Sequence, residues 1–136
     1  MQKDKFGTRL TKVKNTPGKY NWLFLAGGPG ADSQYLNELI DCLNLPGQLW
    51  GVDLPENGSN MLSDTYQKDY DYESWGPALK YLLKSIDNPI LVGHSFSGLY
   101  PLLFPEIEKD LKALVLLNSA TKPWIDDAIN MAKIKK

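Results

Sequence analysis

Pro89-Ile90-Leu91-Val92-Gly93-His94-Ser95-Phe96-Ser97-Gly98 decides how this chain is read. Pro89–Val92 is an apolar run suited to a buried strand, and a helix-like stretch follows from Ser97 to about Phe104, despite Pro101. A strand that turns straight into a helix brings its backbone close to its neighbours, so very small residues must flank the turn. Gly93 meets this need on one side; on the other, Ser97 stands in the last small position of G-x-S-x-G and Gly98 follows at once. The pattern is that of a nucleophile elbow, which presents Ser95 at the tip of the turn.

Upstream, Trp22-Leu23-Phe24-Leu25-Ala26-Gly27-Gly28-Pro29-Gly30 runs an apolar strand into a glycine-rich loop, and a polar-started helix follows. The spacing matches neither G-x-G-x-x-G nor the phosphate loop with its Lys-Ser/Thr, which argues against a nucleotide cradle. A third segment, Val52-Asp53-Leu54-Pro55-Glu56-Asn57-Gly58-Ser59, is a strand end leading into a turn.

Taken together, these three segments resemble the α/β-hydrolase superfamily, in particular its proline-iminopeptidase-like and esterase-like members. Those members carry H-G-G-P-G in the glycine loop and D-x-P-G-x-G-x-S in the later turn; here Ala26 replaces the histidine and Glu56 the first glycine of the turn. The likeness runs from about Tyr20 to Ser119. It implies a mostly parallel α/β sheet with helices on both faces. It also implies Ser95 as nucleophile, the backbone N–H groups of Gly28 and Phe96 as oxyanion hole, and a small-molecule ester, amide or other acyl substrate. No cofactor and no metal are implied.

The rest of the chain fits that frame. Phe6–Val13 reads as an edge strand or irregular lead-in, Tyr20–Ala26 and Leu49–Leu54 as strands, and Leu111–Leu117 as a last strand. Asp32 or Ser33 can cap a helix to about Leu43 whose apolar face carries Tyr35, Leu36, Leu39, Ile40 and Leu43. A second helix is expected from about Tyr72 to Ile86, with a possible break at Gly76-Pro77, and another from Ile125 to Lys133. Residues 57–71 read as loop, and Tyr66, Tyr70, Tyr72 and Trp75 as an aromatic cluster. Near-continuous apolar strands alternating with helices specify a parallel sheet covered on both faces.

A chain of 136 residues with 43% hydrophobic residues suits one domain, residues 1–136. The formal net charge of -1 and the lack of a basic stripe argue against nucleic acid as partner. Cys42 is the only cysteine, so no disulfide framework exists and a cytoplasmic setting is expected. Flanked by Leu39, Ile40 and Leu43, that cysteine is expected in the core. Neither a signal-peptide core nor a membrane-spanning apolar run is present.

One element is missing. A serine needs a base to take its proton, and in the resembled family a histidine late in the chain does so, after an aspartate or glutamate. His94 is the only histidine, and its place next to Ser95 on a tight turn points its ring away from the hydroxyl. Asp126 and Asp127 follow the last strand but have no imidazole to orient. The apolar run Leu114–Leu117 would in the family lie inside the sheet, whereas here it becomes a bare, uncharged edge open to self-association or a second chain. Missing base and missing neighbour both specify an incomplete hydrolase fold, its N-terminal half. The alternative is an inactive fold kept for binding or association.

Overall fold

The strand order follows from the direction of each crossover. In the computed structural model, which describes residues 2–28, 30–58, 60 and 75–120, six strands form one sheet in the order β1-β2-β4-β3-β5-β6. They are β1 (Gln2–Lys3), β2 (Arg9–Asn15), β3 (Asn21–Leu25), β4 (Gln48–Asp53), β5 (Pro89–His94) and β6 (Ala113–Leu117). β1–β2 and β2–β4 pair antiparallel, and β4, β3, β5 and β6 are parallel neighbours. From β3 the chain steps one way to β4, then reverses across β3 to β5. Right-handed crossovers therefore demand helices on opposite faces.

The packing meets that demand. Helix α1 (Asn37–Cys42) puts Ile40, with Leu36, against Phe24, Leu49 and Val92 on one face. On the other face α2 (Trp75–Ser85) buries Leu79, Leu82 and Leu83 against Leu23, Leu25, Val52 and Leu91. The short α3 (Tyr100–Leu103) adds Tyr100 to that second layer. Leu23, Ile40, Leu49, Leu79 and Leu91 are fully buried.

Several local expectations are corrected by this packing. The first helix is divided, with a 3₁₀ turn at Ser33–Leu36 capped by the Asp32 carboxylate, which accepts from Gln34 N–H at 2.7 Å, before α1 begins. Tyr35 and Leu39 are exposed because only Leu36 and Ile40, four residues apart, face the sheet. Cys42, two residues beyond Ile40 and so across the helix from it, is exposed rather than in the core. Lys14 completes the end of α1, its Nζ donating to the Asp41 and Leu43 carbonyls at 2.7 Å each. Gly76-Pro77 causes no break in α2; Pro77 falls in the first turn described, where a missing N–H costs little. Trp75 is a core residue whose indole N–H donates to Pro55 C=O at 3.1 Å. Tyr66, Tyr70, Tyr72, Asp126, Asp127 and the helix expected at Ile125–Lys133 lie outside the described residues.

The last strand is as bare as its sequence implies. Among the described residues β6 has one neighbour, β5, and Leu114, Val115 and Leu116 are 37%, 39% and 45% exposed. Pairing in register with Leu91, Val92 and Gly93 directs them alternately to the two faces, so both faces of the edge are uncovered. No helix among the described residues is long and apolar enough to cross a membrane.

The contrast between centre and edge has a measurable consequence. Leu91→Ala on β5 should cost about 2–5 kcal/mol in urea unfolding, as loss of a buried leucine does. Leu116→Ala on β6 should cost about 0.5 kcal/mol or less.

Candidate functional site

An open parallel sheet binds ligands beyond the carboxyl ends of its strands, where successive crossovers leave to opposite faces. Here that point lies between β3 and β5. The chain leaving β3 passes through Gly27-Gly28 towards α1's face, and the chain leaving β5 passes through Ser95 into the layer of α2. Ser95 and the glycine loop therefore meet at the switch point.

The elbow is tight. His94 ends β5, Ser95–Leu99 is a 3₁₀ turn and α3 follows directly. Ser95 itself has φ of 53°, a left-handed conformation that costs a non-glycine L-residue about 1–2 kcal/mol. A Cβ on Gly93 would lie 2.7 Å from Gly98 Cα and 2.8 Å from Gly98 N, so strand and helix touch backbone to backbone. Pro101 is tolerated because it falls in the first turn of α3.

Ser97, standing where the family pattern has glycine, is fully buried. Its hydroxyl is within 2.9 Å of Leu25 C=O and 3.0 Å of His94 C=O. The substitution thus ties the end of β3 to the elbow. Ser119, just beyond β6, donates to Ser95 C=O at 2.7 Å and fills the space a side chain on Gly98 would need.

The glycine loop closes on the serine from the other side. A Cβ on Gly27 would stand 2.7 Å from Ser95 Cβ, 2.8 Å from His94 Nδ1 and 3.0 Å from His94 O. Gly28 has φ of 69° and nothing within 4 Å of a Cβ placed there, so its backbone conformation, and not crowding, calls for glycine. Phe96 is the second residue of the 3₁₀ turn, which has no side-chain cap, so its N–H has no partner inside that turn. Of the two expected donors, Phe96 follows Ser95 in the chain and Gly28 follows Gly27, which lies against Ser95.

The third segment braces this loop. Asn57 Oδ1 accepts from Gly30 N–H at 2.6 Å, Gly58 N–H donates to Gly30 C=O at 3.3 Å, and the buried Asp53 carboxylate accepts from Ser33 N–H at 2.7 Å. Glu56, in the first glycine position of the turn, has φ of 59° and keeps the left-handed geometry at a conformational cost.

His94 is engaged by Tyr35. Its Nδ1 lies 2.6 Å from the Tyr35 hydroxyl, which also accepts from Gly27 N–H at 2.6 Å, and the two rings meet edge to face. Tyr100 lines a small cavity behind Gly28 with Asn57 and Leu54; its burial raises the phenol pKa above the ordinary value and keeps it neutral. Among the described residues no three His, Cys, Asp or Glu side chains cluster as a metal site would. Ser97, Ser119, Asn57 and Tyr35 were not legible as site residues; only Ser97 carried a signal, its departure from glycine in the motif.

Known structures of this shape are α/β-hydrolases. The N-formylmaleamic acid deformylase of Pseudomonas putida superposes with a TM-score of 0.65 at 15% identity over 93% of this chain and 52% of its own. The monoacylglycerol lipase of Paleococcus ferrophilus does so with 0.60 at 20% identity, covering 92% and 50%. A serine hydrolase involved in carbazole degradation gives 0.62 at 21% identity, covering 93% and 51%. The chain spans about half the length of these structures, and the matched half is the N-terminal one. Neither a family model nor a curated relative matches the sequence.

Two substitutions separate strain from support. Ser95→Gly should raise unfolding stability by about 1 kcal/mol by releasing the left-handed strain. Ser97→Ala should lower it by about 1–3 kcal/mol by leaving buried carbonyls unpaired. Chemical denaturation of both reads the signs directly.

Proposed function

We propose that this chain, which matches the N-terminal half of the α/β-hydrolase fold, carries the nucleophile and oxyanion hole of a cytoplasmic serine hydrolase. Its substrates are small molecules with an ester, amide or related acyl bond. Ser95 Oγ attacks the carbonyl carbon, and the Gly28 and Phe96 N–H groups hold the negative charge that forms on the carbonyl oxygen. The observation that carries this reading is the left-handed Ser95 between β5 and its following turn, with the Gly27 loop closed against it. Strain of this kind persists where the surrounding structure enforces it, and it clusters at reactive sites.

The proton on Ser95 needs an acceptor, and this reading does not assign that role to His94, the one histidine, whose Nδ1 is engaged by Tyr35. On this reading the base, and the carboxylate that orients it, are supplied either by further polypeptide or by a second chain. Without a triad partner, an oxyanion hole and substrate binding still leave acceleration of about 10³–10⁴ over water. Residues 1–136 alone should therefore react slowly with strong acylating or phosphonylating agents and turn over substrates poorly.

A second reading rests on the bare β6. An uncharged apolar edge with both faces exposed supports a binding or association module, joined to a second chain or another copy through Leu114–Leu117. Sedimentation of the folded chain across a wide concentration range tests it: a persistent monomer argues against this reading.

For the hydrolase reading, a fluorophosphonate probe should label the wild-type chain and leave Ser95→Ala unlabelled. Equal labelling of the two would remove Ser95 from the role of nucleophile.

A further inference from the structure

Among the hydrogen bonds that anchor the loop after β3, one is made by the Tyr35 hydroxyl. At its far end the loop is held by Asn57 Oδ1 on Gly30 N–H. At its near end Gly27 N–H donates to Tyr35 Oη at 2.6 Å, and the same oxygen is 2.6 Å from His94 Nδ1. Gly28, between the anchors, is open on the side where a Cβ would be. The position of its N–H therefore depends on the backbone on either side.

We infer that Tyr35 and His94 form a clasp that positions the Gly28 N–H against Ser95, with His94 acting as a hydrogen-bond acceptor and not as the base. The Gly27 N–H can only donate, so the Tyr35 oxygen accepts there and its own proton is directed at Nδ1. That leaves the ring proton on Nε2 and ties the residue before the nucleophile to the residue before the oxyanion donor. Gly27 completes the clasp, since any side chain there would occupy the space of Ser95 Cβ and His94 Nδ1. Tyr35 is 49% exposed, so burial of its ring contributes little and the hydroxyl's two contacts account for its placement. The clasp rests on geometry alone; its effect on reaction rests on the hydrolase reading above.

The test uses the whole 136-residue chain in three forms: wild type, Tyr35→Phe and His94→Asn. Amide hydrogen exchange reads the clasp without any activity. In Tyr35→Phe the Gly27 amide should exchange about 10-fold faster while β5 amides keep their protection. Unchanged exchange at Gly27 overturns the clasp, and equal acceleration across β5 overturns it too, since it reports general loosening. The rate of fluorophosphonate labelling at Ser95 reads the consequence. Tyr35→Phe should label about 10-fold more slowly, because a displaced donor loses part of what a deleted one loses. Asn places an amide oxygen near the site of Nδ1, so His94→Asn should stay within about 3-fold of wild type; if His94 were the base, the loss would approach the roughly 10⁴-fold or more of a removed triad member. A collapse of that size, or wild-type labelling by Tyr35→Phe, overturns the positioning role. If exchange reports the clasp but the wild type does not label at Ser95, the hydrolase reading fails and the clasp stands.

Discussion

Everything at the site depends on backbone approaching backbone where β3 and β5 end. Gly93 and Gly98 touch across the elbow, and Gly27 lies against Ser95 and His94 at separations no side chain would allow. The buried Ser97 hydroxyl locks this contact by reaching the carbonyls of both Leu25 and His94. Because these atoms are fixed, Ser95 is held in a conformation that an unconstrained serine avoids. The strain is small against the buried apolar sheet behind it, which supplies most of the driving force for folding.

The same sheet explains why the site is well formed on one side only. β3, β4 and β5 are central strands covered by α1 on one face and by α2 and α3 on the other. Among the described residues β6 is less covered: Leu114, Val115 and Leu116 remain exposed, while Leu117 packs half-buried against the layer of Phe24 and Val92. An apolar groove lined by Trp22, Phe24, Leu43, Val92, Val115 and Leu117 continues this exposure onto α1's face. Ser95 and the Gly27-Gly28 loop belong to the covered strands.

Two of the three departures from the resembled family's motifs, Ser97 and Glu56, have different physical meanings. Ser97 in place of glycine is compensated, since its hydroxyl gains two acceptors in a buried position where a bare methylene would leave them unpaired. Glu56 in place of glycine is not compensated at the backbone, because its φ remains left-handed, and its carboxylate Oε2 is buried without a hydrogen bond among the described residues.

The sequence alone determined the fold class, the strand-to-helix turn at Ser95 and the place of the Gly27-Gly28 loop. Each is written in short-range features: apolar runs of strand length, and small residues at the points of closest approach. It also showed that His94 is the one histidine, because a count needs no coordinates. Only the tertiary structure decided what holds the site together. Tyr35 looked like one more apolar helix position until the division of that helix turned its hydroxyl to Gly27 and His94. Cys42 looked like core until the helix presented only Leu36 and Ile40 to the sheet. Such contacts join residues 59 apart, as Tyr35 and His94 are, or 24 apart, as Ser119 and Ser95 are. No local pattern records them, because the crossovers that bring them together are set by the packing of the whole sheet.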